Sequence, residues 1–284
     1  MTALSSRTLS RRGVFAASGA GLAALALAAC GDQSEPLAEE GGRTTVRVAA
    51  TPLPHMEILT FVKDNLAEDA GLELDLQEQT EYPIPNRLLS EGEVDANFFQ
   101  HLPYLETEIE ENGYELTPFE GVHIEPLGIF SESLTSVDEI TDGASVGIPN
   151  DPTNRGRALA LLAAEGLLAL ADGIEPTEAT PDDIAENPKD LAFEEIDAAL
   201  LPRTLGDYAI AVINGNYALE ADLSPAEDAL ALESGEDNPY ANMLVVRTED
   251  KDNEALVALD ELLHSEDVKA FIEENYSGAV IPAF

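Results

Sequence analysis

The segment from Pro149 to Arg157 combines residue types that can bind a carboxylate. A short strand is predicted to end at Ile148, a Pro-rich turn follows, and Thr153 or Asn154 can cap the next helix. The N–H groups and the dipole of a helix N-terminus favour an anion. Arg157 lies one turn into that helix, where its guanidinium can hold a carboxylate through two parallel hydrogen bonds. The alternative is a surface arginine that pairs with neighbouring acids.

A second segment, Asp95–Tyr104, is rich in rings. It holds Phe98, Phe99, His101 and Tyr104 within seven residues. Such side chains commonly pack in a core, which is one interpretation. The other is an aromatic wall for an apolar or sulfur-bearing ligand group, because a thioether gains roughly 0.3–1.5 kcal/mol at a ring edge.

Two shorter segments have the same polar and aromatic character. Glu81–Asn86 contains Tyr82, and Ala211–Tyr217 contains Asn214. Both lie after or near an apolar strand, and α/β proteins bind small ligands at the carboxyl ends of strands or between lobes. These segments are therefore further candidates for a binding site.

Two catalytic or cofactor patterns occur without the context that they need. Gly143–Gly147 matches G-x-S-x-G around Ser145, but a nucleophile elbow requires a strand before the serine, and here the strand follows it. A serine hydrolase is thus the less favoured alternative. Gly19–Ala24 resembles a dinucleotide fingerprint, but it lies inside an export signal. We predict no catalytic residue and no cofactor.

Metal and disulfide chemistry have little support in the spacing of the possible ligands. His55, His101, His123 and His264 form no i, i+4 pair, and no Asp-x-Asp-x-Asp-Gly loop occurs. We therefore predict no metal site. Cys30 is the only cysteine, so no disulfide can form within the chain.

The first 30 residues have the features of a signal for export. Three arginines precede an apolar run that is shorter than the ~20 residues of a membrane span, and Leu-Ala-Ala-Cys ends the run. The pair Arg11-Arg12 resembles a twin-arginine signal. The ending resembles a lipobox, which predicts acylation of Cys30 and anchoring at the extracytoplasmic face of the cell membrane. Residues 31–43 are polar and Gly-rich and are predicted to be a flexible tether.

The charge of the chain excludes one class of partner. The formal net charge is −42, and the first 30 residues contain three arginines and no acid, so the remainder carries −45. Such a field repels nucleic acid. Because the acids accompany normal apolar content, we interpret them as a solvated surface of the kind found in proteins from saline habitats.

The elements that must position these residues alternate along the chain. Apolar patterns predict strands over 45–50, 72–76, 126–130, 145–148, 193–196, 209–213 and 243–246. Helices are predicted from 58 to near 71, 88 to near 92, and over 154–173, 255–263 and 268–276. Strands separated by helices indicate an α/β fold with largely parallel sheets.

Several ordered motifs together resemble the NlpA lipoproteins, the methionine-binding lipoproteins of ABC importers. The resemblance runs from about Val46 to the C-terminus. The motifs that carry it are Asp95-Ala96-Asn97, Phe99-Gln100-His101, Pro103-Tyr104-Leu105, Pro149–Asn154 with Gly156-Arg157, Glu186–Lys189, Leu201-Pro202-Arg203, Ala211–Asn214 and Ser277–Val280.

The family implies a two-lobed, periplasmic-binding-protein-like fold with a ligand cleft between the lobes. Residues 44–126 and 240–284 would form one lobe, and residues 127–239 the other. Two crossing segments, near Glu125–Phe130 and Asn238–Val246, would join them.

The resemblance also implies a ligand and roles for the candidate residues. Methionine, L or D, would be enclosed and delivered to an ABC permease and its ATPase. Another amino acid or a methionine-containing dipeptide is the alternative within the same fold. Arg157 would hold the carboxylate, and Glu125 could accept the ammonium or line a solvated edge. Hydrogen bonds to the head group would come from Asn154 and Asn214, and the side chain would be walled by Tyr82, Phe99, His101 and Tyr104.

Overall fold

Strands and helices alternate through the described part of the chain, which in this computed structural model comprises residues 37–40, 42–236 and 238–284. The strands are β1 (Glu39–Glu40), β2 (Arg43–Ala50), β3 (Leu72–Glu78), β4 (Ala96–His101), β5 (Leu116–Ile124), β6 (Gly128–Phe130), β7 (Ser145–Pro149), β8 (Ala169–Leu170), β9 (Ile184–Glu186), β10 (Ala192–Ile196), β11 (Ile210–Ile213), β12 (Ala231–Leu232), β13 (Ala241–Arg247) and β14 (Ile281–Pro282). The signal, Cys30 and most of the tether lie outside the described residues.

The described residues form eight α-helices. They are α1 (Glu57–Asn65), α2 (Pro83–Ser90), α3 (Leu102–Asn112), α4 (Pro152–Ala164), α5 (Gly215–Glu220), α6 (Pro225–Asp228), α7 (Glu254–Leu263) and α8 (Glu266–Tyr276). None of the described helices combines the length and the apolar character that crossing a membrane requires.

Two large sheets organise most of these elements, and both are mixed; β8 and β9 form a separate antiparallel pair. In the first, β2 pairs in parallel with β3 and β4, whereas β13 pairs antiparallel with β4 and β5. In the second, the order is β10-β7-β11-β6-β12, and only the β10-β7 and β7-β11 pairs are parallel. The expectation of largely parallel sheets is therefore wrong. Two strands of the first sheet, β4 and β5, are absent from the sequence prediction, and in β5 Pro118 and Gly121 obscure the apolar pattern of a strand.

Each sheet has its own apolar core. Against the first sheet, α1, α7 and α8 bury Ile58, Leu259 and Ile272 together with Val48 and Phe98. Against the second, α4 buries its leucines on the apolar strands β7 and β11. Burial of about 25 cal/mol per Å² of apolar surface makes these faces the main stabilising contribution in each half.

The chain passes between the sheets twice. It leaves the first sheet after Ile124 and enters the second at Gly128, and it returns between Leu232 and Ala241. Both connections are short, and they overlap the crossings expected from the sequence. The exact division of the chain into lobes stays a prediction.

Three helices differ in their limits from the sequence prediction. The helix expected from 58 to near 71 ends at Asn65. The helix expected over 154–173 ends at Ala164, because Gly166 adopts a left-handed conformation with φ of 72°, and Leu170 lies in β8 instead. The helix expected to begin at Leu88 begins at Pro83, since proline is favoured in the first turn of a helix. The two C-terminal helices begin and end within two residues of their predicted limits.

Candidate ligand-binding site

A small cavity lies where residues of both sheets meet. All seven side chains predicted to bind a ligand line it, and the structure therefore brings together segments that are far apart in sequence. Its lining comprises Tyr82, Phe99, Gln100, His101, Tyr104, Glu125, Asn154, Arg157, Asn214, Gly215 and Asn242.

Three rings form one wall of the cavity. Tyr82 precedes α2, Phe99 lies in β4, and Tyr104 lies in the first turn of α3. Their ring centroids are 5.7 to 5.9 Å apart, and the pairs Tyr82–Tyr104 and Phe99–Tyr104 meet edge to face. Phe98, which also belongs to the ring-rich segment Asp95–Tyr104, packs in the core of the first sheet instead. Within Asp95–Tyr104, therefore, Phe98 is a core residue, whereas Phe99 and Tyr104 line the cavity.

His101 is fixed in one tautomer by its position at the start of α3. Its Nδ1 accepts a hydrogen bond from the backbone N–H of Tyr104 at 3.2 Å. The proton therefore resides on Nε2, which donates to Asn154 Oδ1 at 3.1 Å. Burial, together with the charge of Arg157, lowers the pKa of His101 to about 3. The ring is thus neutral at physiological pH.

The amides of Asn154 and Asn214 continue this network. Asn154 Oδ1 accepts from Asn214 Nδ2 at 3.1 Å as well as from His101, and Asn154 Nδ2 donates to Asp151. Both the oxygen and the nitrogen of the Asn154 side-chain amide are thereby hydrogen-bonded to protein groups. In contrast, the buried Asn214 Oδ1 has no hydrogen-bond partner among the described residues. Such an atom is costly to bury unless a ligand completes it.

The N-terminus of α4 is capped differently from the sequence prediction. Asp151, not Thr153 or Asn154, is the capping residue, and its Oδ1 accepts from the backbone N–H of Asn154 at 2.9 Å. Pro152 occupies the first helical position, so the cap is the residue directly before it, Asp151. A carboxylate of the chain itself therefore lies at this terminus.

Arg157 is 3% exposed and held from several directions. Its Nε and Nη2 donate to the carboxylate of Glu233 at 2.9 and 2.5 Å, and Nη2 also donates to the backbone oxygen of Glu125. Its guanidinium lies 4.2 Å from the ring centroid of Tyr240. The arginine does pair with an acid, as the alternative interpretation held, but in a buried site rather than on the surface. Nη1 donates to no described residue.

Glu125 joins the cavity to a buried histidine pair. Its Oε1 lies 2.7 Å from His123 Nε2 and 3.1 Å from His55 Nε2. Burial raises the pKa of Glu125 and lowers the pKa of His55 to about 4 and that of His123 to about 3. The ligand atoms of these three residues lie within 4.8 Å of one another, a proximity that the sequence spacing did not reveal. The prediction of no metal site stays a prediction.

The structure also locates the residues behind the alternative readings. Ser145 begins β7, and its Oγ accepts from the backbone N–H of Ala209 at 3.2 Å, so the strand does follow the serine as predicted. Arg155 turns to Glu195 and does not line the cavity. Sequence reasoning missed Gln100, Asn242 and Glu233. Of these, Gln100 lies inside a candidate binding segment and Asn242 inside the second expected crossing, Asn238–Val246, whereas Glu233 lies in neither.

Comparison with known proteins gives consistent results. A family model described as NlpA lipoprotein matches residues 46–284. The chain is 40% identical to the methionine-binding lipoprotein MetQ of Bacillus subtilis, over 90% of this chain and 93% of that protein. It is 37% identical to the D-methionine-binding lipoprotein MetQ of Salmonella typhi, over 94% and 96%.

Solved structures agree with the sequence relatives. A nutrient binding protein from Burkholderia cenocepacia bound to methionine is similar with a TM-score of 0.81 and 40% identity, covering 84% of this chain and 100% of that one. A periplasmic substrate-binding protein of an ABC transporter from Coxiella burnetii is similar with a TM-score of 0.80 and 40% identity, with the same coverage.

Proposed function

The chain belongs to the NlpA lipoprotein family, and on that premise we propose that it is the substrate-binding protein of an ABC importer and binds methionine. The observation that carries the proposal is the meeting of Tyr82, Phe99, Tyr104, Asn214 and Arg157 around one cavity. These side chains offer a different contact for each part of an amino acid.

The ligand carboxylate is assigned to Arg157. Glu233 occupies its Nε–Nη2 edge, which fixes the plane of the guanidinium and leaves Nη1 for an incoming oxygen. A charge-assisted bond in this buried place is stronger than one between neutral groups. Because Glu233 balances the charge of Arg157, the pair suits a ligand that is neutral overall, such as a zwitterion.

The ligand ammonium is assigned to Asn214 and Glu125. Asn214 Oδ1 is a buried acceptor without a partner among the described residues, and Glu125 is the carboxylate that lines the cavity. Both are acceptors, which an ammonium with its three N–H donors requires.

The ligand side chain is assigned to the wall of Tyr82, Phe99 and Tyr104. These rings meet at edges and faces rather than in a parallel stack. An unbranched thioether can fit such an irregular apolar surface, and its sulfur contacts ring edges favourably.

Membrane attachment and delivery complete the proposal. Acylation of Cys30 would hold the protein at the extracytoplasmic face, with residues 31–43 as the tether. The protein would then pass methionine to a permease driven by its ATPase. Mass spectrometry of the mature N-terminus tests the anchor, because an unmodified Cys30 would contradict it.

Isothermal titration of the full-length protein in detergent tests the ligand. We expect binding of L- or D-methionine, a loss of at least about a hundredfold in affinity in Arg157→Ala, and unchanged affinity in the control Arg155→Ala. Native mass spectrometry of the protein as purified should detect a retained amino acid. Tighter binding of a methionine-containing dipeptide, or equal loss in both arginine variants, would contradict the proposal.

A further inference from the structure

Two buried histidines converge on a single oxygen of Glu125. Nε2 of His123 and Nε2 of His55 lie 2.7 and 3.1 Å from Glu125 Oε1. No described side chain donates to the other carboxylate oxygen, Oε2. The carboxylate therefore has one oxygen bound by protein side chains and one that is not.

Three separate elements fix this arrangement. His55 lies in the helical turn Pro52–Met56 after β2, where its Nδ1 contacts Thr51 Oγ1 at 2.7 Å. Its Nε2 also contacts Asn242 Oδ1 at 3.1 Å, in β13. His123 lies in β5 and is paired with Asn242 in the ladder to β13. The rings of His55 and His123 are 4.9 Å apart, and both side chains are fully buried.

The protonation of each ring follows from its partners. Nε2 of His55 faces two acceptors, so it carries the proton, and Nδ1 accepts from the Thr51 hydroxyl. Nε2 of His123 donates to Glu125, which leaves its buried Nδ1 unprotonated and without a hydrogen-bond partner among the described residues. Both rings are neutral donors, since burial lowers the pKa of His55 to about 4 and that of His123 to about 3.

We propose that His55 and His123 are positioning residues, which hold Oε1 of Glu125 and so present Oε2 to the ammonium of the ligand. This inference rests on the proposed function. It makes the histidine pair a determinant of specificity for ligands with a free amino group, although neither ring lines the cavity.

The two N–H donors also act on the charge of Glu125. Burial favours the protonated acid, and this raises its pKa, whereas His55, Arg157 and the backbone N–H of Asn216 oppose the rise. Glu220, on α5, is a further acid within electrostatic reach of Glu125. Donors aimed at one oxygen stabilise the carboxylate form. An ammonium at Oε2 would stabilise it further.

A cation site is the competing reading of the same cluster. Its three ligand atoms lie within 4.8 Å of one another, and neutral imidazoles are good ligands. Each Nε2, however, already lies at hydrogen-bond distance from a carboxylate oxygen, and Asn242 completes the contacts of His55. Hydrogen bonding therefore accounts for these contacts without an ion.

A comparison of two ligands tests the role. The full-length protein in detergent is titrated with methionine and with 4-(methylthio)butanoate, which lacks only the amino group. We expect His123→Ala to weaken methionine binding about tenfold or more, and to weaken binding of the deaminated acid by less than about threefold. His123→Gln should restore the preference for methionine over the deaminated acid, since the glutamine amide N–H can reach Oε1 of Glu125.

The double variant His123→Ala/Glu125→Gln separates positioning from a general loss of structure. Once Glu125 is replaced, His123→Ala should leave the ratio of the two affinities unchanged within about twofold. Equal weakening of both ligands by His123→Ala would overturn the inference, as would no change in either. If His123→Ala fails to fold, His55→Ala replaces it in the same comparison, since it removes the other donor to Oε1, and it should likewise weaken methionine more than the deaminated acid. Equal weakening of both ligands by that variant would overturn the inference.

Three further results would overturn the inference. Stoichiometric binding of Zn²⁺ to the wild-type protein that excludes methionine would make the cluster a metal site. Methionine binding by the wild type with an unchanged ratio in every variant would overturn the positioning role alone. Absence of methionine binding by the wild type would overturn the proposed function as well, so the two failures are distinguishable.

Discussion

Single residues at the cavity are held in defined protonation states by burial. His101 is the clearest case, because the backbone N–H of Tyr104 fixes its tautomer and burial lowers its pKa to about 3. An unfolded histidine has a pKa of about 6.5. Between these values the unfolded chain binds a proton that the folded chain does not, so this residue destabilises the fold as the pH falls below about 6.5.

Replacement of His101 should therefore make the protein less sensitive to acid. From pH 7 to pH 5 the wild type loses about 2 kcal/mol through this one group. We expect the free energies of unfolding of the wild type and His101→Gln, measured by urea denaturation, to converge by about that amount over the same range.

A substitution in the same cavity provides the control. Burial raises the pKa of Tyr104, so its hydroxyl does not titrate in this range. Tyr104→Phe should keep a constant difference from the wild type at both pH values. A constant difference for His101→Gln too would show that the ring is not held neutral in the fold.

What the sequence could predict at this scale depended on local signals. Arg157 stood out as one of few arginines in an acidic chain, and His101 and Tyr104 as parts of a ring-rich segment. Glu233 and Asn242 carried no such signal, since they are an acid among many and an amide inside an apolar strand. Their importance arises only from long-range contacts, to Arg157 and His55.

Among the elements, α4 is the most constrained by its surroundings. It carries Asn154 and Arg157, and Gly156 lies between them at a close approach to the helical turn Pro176–Glu178. A Cβ atom at Gly156 would overlap the backbone carbonyl of Pro176. Backbone cannot move aside as the end of a long side chain can.

Gly156→Ala should therefore destabilise the protein although alanine favours helices. We expect a loss of about 3 kcal/mol in the free energy of unfolding, which outweighs the ~1 kcal/mol gain in helix propensity. Urea denaturation measures it. The control is Gly206→Ala, where a Cβ would meet only the flexible carboxylate of Glu132, and a change below about 0.5 kcal/mol is expected. Equal effects would contradict the close approach.

The fold was predictable where one element has one strong pattern. β2, β7 and the two C-terminal helices have such patterns, and their positions were correct to within a few residues. β5 was missed because it is only partly apolar and pairs with β13, which lies more than 100 residues away in the chain. Strand direction depends on that pairing, so the mixed character of both sheets could not be derived from local sequence.

At the scale of the whole molecule, the dominant property is charge. Outside the signal the chain carries −45, and its acids lie mainly at the surface, where they repel one another. Salt shortens the range of that repulsion from about 10 Å at 0.1 M to about 3 Å at 1 M. The folded state, which holds the charges closest together, gains most from screening.

Thermal stability should therefore rise with ionic strength. We expect Tm to increase by about 5 °C or more between 0.1 and 1 M NaCl, as measured by differential scanning calorimetry. Choline chloride at equal concentration is the control, since general screening does not depend on which cation is present. An unchanged Tm, or an increase in NaCl alone, would contradict the screening explanation.

The contacts of Arg157 have a consequence for kinetics. The guanidinium touches the backbone oxygen of Glu125 in one connection between the sheets, and Glu233 and Tyr240 in the other. In the proposed binding cycle, the group that reads the ligand carboxylate is thus attached to both segments about which opening must occur. The same contacts would then determine both how long the ligand stays bound and which ligand is selected. We expect variants with an altered ligand preference to change koff more than kon. The rate at which the ligand is delivered would therefore depend on which ligand is bound.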